Sequence, residues 1–169
     1  MTTSTDFLEV GDDRFLLIPE AECCYMSHFC EENIYKLAEK FHKSQQALMS
    51  DGKYTYDGYV VFISSHEKVV PLFMQKLAKN RQSMVVWDYH VIFVVQKTLV
   101  CEESCESKEY DVTGPKRRAY ILDFDSVLPF GCSAEIYMSK CFPPQFCSRL
   151  RPGNKPVRKY SNQKLFACL

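Results

Sequence analysis

His28-Phe29-Cys30-Glu31-Glu32-Asn33-Ile34-Tyr35-Lys36-Leu37 is the stretch from which the fold of this 169-residue chain is read. Ile34, Leu37, Ala38 and Phe41 recur at i, i+3, i+4 and i+7, the spacing of one buried helical face, so a helix is expected over about residues 28–41. Glu31 and Glu32 fall in its first turn, where carboxylates suit the positive end of the helix dipole. Cys30 then stands at the helix N-terminus, with backbone N–H groups directed at its sulfur. That setting favours the thiolate, the nucleophilic form of cysteine. A working thiol also needs a base, an orienter for the base and a pocket.

Working outward, Tyr59 to Ser64 is a β-rich run expected as a strand buried on both faces. Ser83 to Gln96 carries the strongest strand signal, and Ala119 to Ser126 a third. Phe15 to Ile18 suggests a short early strand, and Ser65 to Lys68 a turn leading into Val69-Val70-Pro71. Phe73 to Lys79 and Ser133 to Cys141 read as short helices, the second capped by Ser133. Lys43 to Gly58 is polar with Asp51-Gly52 and Asp57-Gly58 turn signals, and reads as a surface loop. Thr98 to Arg118 reads as a long exposed connection. Helix first, then strands joined by long loops, makes an α+β domain whose antiparallel sheet packs against the Cys30 helix. The division is a lead-in over 1–22, a domain over 23–142 and an atypical tail over 143–169, one domain in all.

A formal net charge of zero and a pI near 6.9 give no electrostatic case for nucleic acid or an anionic membrane surface. No apolar stretch is long enough to span a bilayer, since Asp88 and His90 interrupt the run from Val85 to Val95. Nine cysteines, an odd number, follow an N-terminus without a basic, apolar leader. The expectation is a reducing compartment: cytoplasm, or cytoplasm and nucleus.

His90 lies inside the strongest strand run, and alternation puts Asp88, His90, Ile92 and Val94 on one face. In the next strand Ala119, Ile121, Asp123 and Asp125 share a face. If the two pair antiparallel, His90 and Asp123 face each other, and a carboxylate beside a histidine fixes its tautomer and stabilises the imidazolium. Cysteine at a helix start, then histidine, then aspartate on neighbouring strands is the order of papain-like thiol enzymes. Buried cysteines, satisfied core histidines and strand aspartates with local hydrogen bonds are each commoner than catalytic ones. Spacing alone leaves both readings open.

Five blocks in one order add to this: Cys30 to Leu37 (CEENIYKL), Tyr59 to Ser64 (YVVFIS), Val70 to Phe73 (VPLF), Val85 to Val91 (VVWDYHV) and Leu122 to Phe130 (LDFDSVLPF). As a set, covering roughly Cys24 to Cys141, they resemble the protein N-terminal glutamine amidohydrolase family. The resemblance implies a papain/transglutaminase-like fold with Cys30, His90 and Asp123 as nucleophile, base and orienter. It implies conversion of N-terminal glutamine to glutamate with release of ammonia, which feeds the arginylation branch of the N-degron pathway. The implied partners are proteins or peptides with N-terminal glutamine, met by a monomer that uses no cofactor and no metal. Recognition of the substrate α-amine falls to Asp88, Glu31, Glu32 or Asp125, with Trp87 and Tyr89 as pocket walls. A related thiol protease or transglutaminase, and an inactive variant, are the alternatives. The chain departs from the family in the loops at 43–58 and 97–117, in Tyr35 where tryptophan is common, and after about Cys141. Cys101 and Cys105 are spaced C-x3-C without a second pair, which argues against zinc. Cys23, Cys132, Cys141, Cys147 and Cys168 read as small hydrophobes or exposed thiols.

Overall fold

The computed structural model describes residues 15, 18–48, 52–100, 117–144 and 166–167. Helix α1 spans Cys30–Leu48 and runs well past the expected end at Phe41. The polar residues after Phe41 are good helix formers with no breaker among them, so their polarity marks a solvent face and not a loop. Strand β1 accordingly begins early, at Tyr54, and continues to Ser64. Among the described residues of the loop expected over 43–58, the bend at Gly52 and Lys53 remains, with φ +63° at Gly52.

The expected strand over 83–96 is two strands. Strand β2 (Val70–Leu72) pairs antiparallel with β3 (Val85–Trp87) in a small separate sheet. Strand β4 (Tyr89–Leu99) pairs with β1 over their whole lengths, from Tyr54↔Leu99 to Ser64↔Tyr89. Exposed Asp88 forms the bend between β3 and β4. Aspartate is a poor strand former, and the β-rich residues on either side of it concealed this break. Asp88 is therefore not a strand residue sharing the face of His90.

Strand β5 (Arg117–Leu122) pairs antiparallel with β4 and ends before Asp123, so Asp123 and Asp125 occupy a turn instead of a strand. Strand β6 (Cys132–Ser133) follows, and β7 (Phe166–Ala167) pairs with β1 at Phe62 and Val61. The main sheet has the order β6-β5-β4-β1-β7. Helix α2 (Ala134–Cys141) is capped as read: Ser133 Oγ accepts from the Ile136 N–H at 3.3 Å. Residues 73–79 form turns and a bridge between Gln75 and Ser126 in place of the expected helix. Phe15 and Ile18 are both buried, and the Phe15 N–H bonds the Gly131 carbonyl at 2.9 Å. The connection over 101–116 and most of the tail over 143–169 lie outside the described residues.

Strand alternation sorts the core into two layers. Val91, Phe93, Val95, Tyr120 and Leu122 pack with Ile34, Leu37 and Phe41 of α1. Val61, Ile63, Ile92 and Ile121 pack with Tyr137 and Cys141 of α2. The sheet thus lies between the two helices, an α+β architecture in which Val61 and Ile63 of β1 are buried on one face and Val60 and Phe62 only half-buried on the other, where burial on both was expected. Gly58 permits the close approach of α1: a Cβ there would lie 2.6 Å from the Phe93 ring and 2.8 Å from that of Phe41. No described helix is long and apolar enough to cross a membrane.

Candidate active site

The entry into α1 is fixed by its own side chains. The Phe29 carbonyl accepts the first helical bond from the Asn33 N–H at 3.0 Å. Buried Asn33 exchanges two hydrogen bonds with the Met26 backbone: Oδ1 accepts from the N–H at 2.8 Å, and Nδ2 donates to the carbonyl at 2.7 Å. His28 turns the chain in the left-handed region, with φ +69°. These constraints make Cys30 the first helical residue, half-buried against the α1 side of the core.

His90 is the second residue of β4 and is fully buried. The β4–β5 ladder ends at Phe93↔Leu122, and its register continued places Asp123 diagonally from His90 on the same face. His90 Nε2 lies 3.0 Å from Asp123 Oδ1, an oxygen that also accepts the Asp125 N–H at 2.9 Å. Asp123 Oδ2 accepts the Tyr137 hydroxyl at 2.7 Å. Burial alone would lower the proton affinity of the imidazole, but the charge and hydrogen bond of Asp123 outweigh it and raise the His90 pKa to about 10. Burial likewise opposes ionisation of Asp123. The His90 charge and the Tyr137 and Asp125 donors prevail, and its carboxyl is held below the ordinary value.

Nδ1, the other ring nitrogen of His90, is buried and makes no hydrogen bond among the described residues. Cys30 is near enough to interact with the ring and add to its proton affinity. Trp87 stacks on the imidazole, with centroids 5.1 Å apart and planes at 25°, and its buried Nε1–H has no acceptor among the described residues. The constellation thus holds a thiol, an imidazole with one nitrogen fixed and one open, and a carboxylate saturated with donors. Such a set can pass a proton between sulfur and imidazole in a site that stabilises the imidazolium.

A second layer ties this corner together. Asp125 is buried and accepts the Tyr25 hydroxyl at 2.8 Å on Oδ1. The Asp125 carbonyl accepts the Lys76 N–H at 2.7 Å, and Lys76 Nζ pairs with Glu20 at 2.9 Å. The segment leading into α1 is thereby fastened to the turn that carries Asp123. Nitrogen and oxygen atoms of His90, Asp123 and Asp125 lie within 4.8 Å of one another, the closest grouping of potential metal ligands among the described residues. Both Asp123 oxygens are already taken up by protein donors.

Of the residues expected from sequence, the structure brings together Cys30, His90, Asp123, Asp125 and Trp87. Asp88, Glu31 and Glu32 are exposed, and half-exposed Tyr89 lies close enough to Glu31 for its carboxylate, after burial, to raise the phenol pKa. Sequence reasoning missed Asn33, Tyr25 and Tyr137. For Tyr137 a signal existed, since a tyrosine on the core face of a short helix needs a partner for its hydroxyl. Of the two readings left open for them, Cys132 and Cys141 take the buried one, and burial pushes their thiols to about 11 and about 12, away from reactivity.

Fold and site together define an α+β protein with a Cys–His–Asp constellation at one end of its sheet. Residues 25–163 match the N-terminal glutamine amidase family, and the chain belongs to it. The match runs beyond Cys141, past the last block legible by eye. The protein N-terminal glutamine amidohydrolase of Danio rerio is 30% identical over 151 residues, 85% of this chain and 63% of the relative. Those of Drosophila erecta and Drosophila melanogaster are each 30% identical over 128 residues, 76% of this chain and 51% of the relative. The chain spans less than two thirds of the length of these relatives.

Proposed function

We propose that this chain hydrolyses the side-chain amide of an N-terminal glutamine, releasing ammonia and leaving glutamate. The observation that carries the reading is the buried His90–Asp123 pair with an open imidazole nitrogen beside Cys30, in a chain of this family. Nε2 is occupied by Asp123, so Nδ1 is the nitrogen that takes the Cys30 proton. Sulfur attacks the amide carbon, a C–S bond forms, and charge develops on the oxygen. The Cys30 backbone N–H, free at the first position of the helix, is one donor for that oxyanion. On collapse the C–N bond breaks, and His90 returns its proton to the departing ammonia. Water then attacks the γ-glutamyl thioester while His90 takes its proton, the C–S bond breaks, and the thiol is restored.

Asp123 holds the ring in the required tautomer throughout, and Trp87 keeps the imidazole from rotating. The architecture is read as papain/transglutaminase-like, from the order helix-start cysteine, strand histidine, aspartate. Substrates are proteins whose N-terminal glutamine becomes glutamate and thereby enters the arginylation branch of the N-degron pathway. The cytoplasm, with or without the nucleus, suits an enzyme whose described cysteines are all thiols. The test is mass spectrometry of a glutamine-initiated peptide with the wild-type chain and with Cys30→Ala. Amide-to-acid conversion by the first and not the second supports the reading, and equal conversion by both removes the thiol from the mechanism.

A further inference from the structure

Among the described residues three buried side-chain atoms lack a hydrogen-bond partner, and two of them belong to the stacked pair Trp87 and His90. The open Nδ1 of His90 is accounted for by proton exchange with Cys30. The open Nε1–H of Trp87 has no such account. A buried donor without an acceptor costs stability, and native structures retain one where another group fills the position. A tryptophan with part of its surface in water ordinarily keeps its apolar body inside and its polar tip wet. Trp87 does the reverse: the residue is only half-buried, yet its N–H lies in the part shut away from solvent.

The local chain brings the ring to this place. Trp87 is the last residue of β3, its backbone fixed by pairing with Val70, and β4 begins beyond the bend at Asp88. The side chains of Trp87 and His90 therefore meet across that bend, with ring centroids 5.1 Å apart and planes at 25°. An indole N–H lies in the plane of its own ring. In a stacked pair it runs alongside the imidazole and does not point at Nδ1. The two open atoms cannot satisfy each other, and a third group is needed. That group must offer Trp87 an acceptor next to a carbon that Cys30 attacks. The carbonyl of a primary amide meets both demands, its carbon and oxygen being about 1.2 Å apart.

We propose that the Nε1–H of Trp87 is the second oxyanion donor, bonding the amide oxygen of the substrate together with the Cys30 backbone N–H. This rests on the amidohydrolase reading above, and it gives a chemical role to a residue that the sequence marked only as a pocket wall. The imidazole is the common neighbour: Asp123 meets its Nε2 at 3.0 Å, Cys30 is near enough to interact with the ring, and Trp87 covers its face. When sulfur adds to the amide carbon, the carbonyl π pair moves to the oxygen, and the N–H that bonded a neutral oxygen now bonds a charged one. Collapse returns the pair, re-forms the carbonyl and expels ammonia with the proton from His90. The indole keeps its own proton throughout. A donor held by stacking and removed from water needs no reorganisation as the charge develops, which is the condition for strong stabilisation.

The test compares the wild type with Trp87→Phe, which keeps an aromatic ring against His90 and lacks the donor. Ammonia release from a glutamine-initiated peptide is expected to show kcat lower on the order of a hundredfold with KM little changed. Reaction of Cys30 with a disulfide reagent forms no oxyanion. Followed at Cys30 by peptide mass spectrometry, it is expected to keep its rate and pH profile in the variant. Undiminished kcat in a folded Trp87→Phe protein overturns the proposal. So does a parallel loss of kcat and of Cys30 reactivity, which would mean that the ring acts through His90. Should the variant fail to fold, the indole N–H resonance of Cys30→Ala decides, since Trp87 is the only tryptophan of the chain. A saturating glutamine-initiated peptide is expected to move that resonance downfield, and a norleucine-initiated one, which has no side-chain carbonyl, to leave it in place. Equal shifts with both peptides, or none with either, overturn the proposal. The amidohydrolase reading fails differently: the wild type itself would release no ammonia, and this proposal would fall with it.

Discussion

Removing one oxygen atom, by Tyr137→Phe, probes the support of the Asp123 carboxylate. The Tyr137 ring is 1% exposed and packs in the α2 layer of the core, and phenylalanine preserves that packing. What disappears is the 2.7 Å bond from the hydroxyl to Asp123 Oδ2. Hydrogen bonds to charged acceptors contribute about 1.5–3 kcal/mol. That loss raises the Asp123 carboxyl in the folded state, because a donor to its charged form is gone. Asp123 is held below its ordinary value, so it contributes stability above its unfolded pKa and loses it as the pH falls through the folded one. The variant should therefore be less stable by about 1.5–3 kcal/mol from pH 7 down to about pH 5. For a domain of this size that is a Tm lower by about 3–12 °C. As the pH falls further the gap should narrow, because the variant takes up its proton first. Urea unfolding at a series of pH values reads this directly. A gap of constant size down to pH 3 would refute the reasoning, since the hydroxyl would then support packing and not the carboxylate.

Three further variants test other parts of the account. Cys30→Ala should abolish ammonia release while changing stability by no more than about 1 kcal/mol, measured by enzyme assay and denaturation; residual wild-type turnover removes Cys30 from the mechanism. Asp123→Asn should slow kcat/KM on the order of a thousandfold or more in a folded protein. In that variant burial is left to act on His90 without its counter-charge, so its titration, followed by NMR, should fall well below about 10. The sign for stability follows: a raised histidine contributes fully below its unfolded pKa of about 6.5 and loses its effect as the pH climbs through the folded value. The wild type should weaken between about pH 6.5 and 10, and Asp123→Asn should not. Gly58→Ala forces a methyl group to within 2.6 Å of the Phe93 ring, and thermal melting should register a loss of about 1–3 kcal/mol. An unchanged Tm would mean that Phe41 and Phe93 move aside freely.

Periodicity located most of the architecture where burial is one-sided or complete. Ile34, Leu37 and Phe41 identified the buried face of α1, and the β-rich runs identified β1, β4 and β5. The end of α1 was misread because the residues from Lys43 onward are polar, and polarity cannot distinguish a solvent-facing helix from a loop. The break at Asp88 was hidden because both sides of it are apolar, and only pairing partners, β2 for β3 and β1 for β4, reveal two sheets. Cys30, His90 and Asp123 were legible as residue types in a suggestive order. The approach of His90 to Asp123 was legible too, since antiparallel pairing of the two runs sets them face to face, whereas the proximity of Cys30 depends on how α1 docks on the sheet, which no local pattern describes. Tyr137, Tyr25 and Asn33 act through hydrogen bonds between segments distant in sequence or across a turn, and no local pattern encodes such partners.

Ammonia release from three matched peptides, with N-terminal glutamine, N-terminal asparagine and internal glutamine, tests the central claim most directly. The account predicts release from the first peptide alone, at a rate that falls away in Cys30→Ala. Release from the internal-glutamine peptide at a comparable rate, or from none of the three by a folded chain, would contradict it.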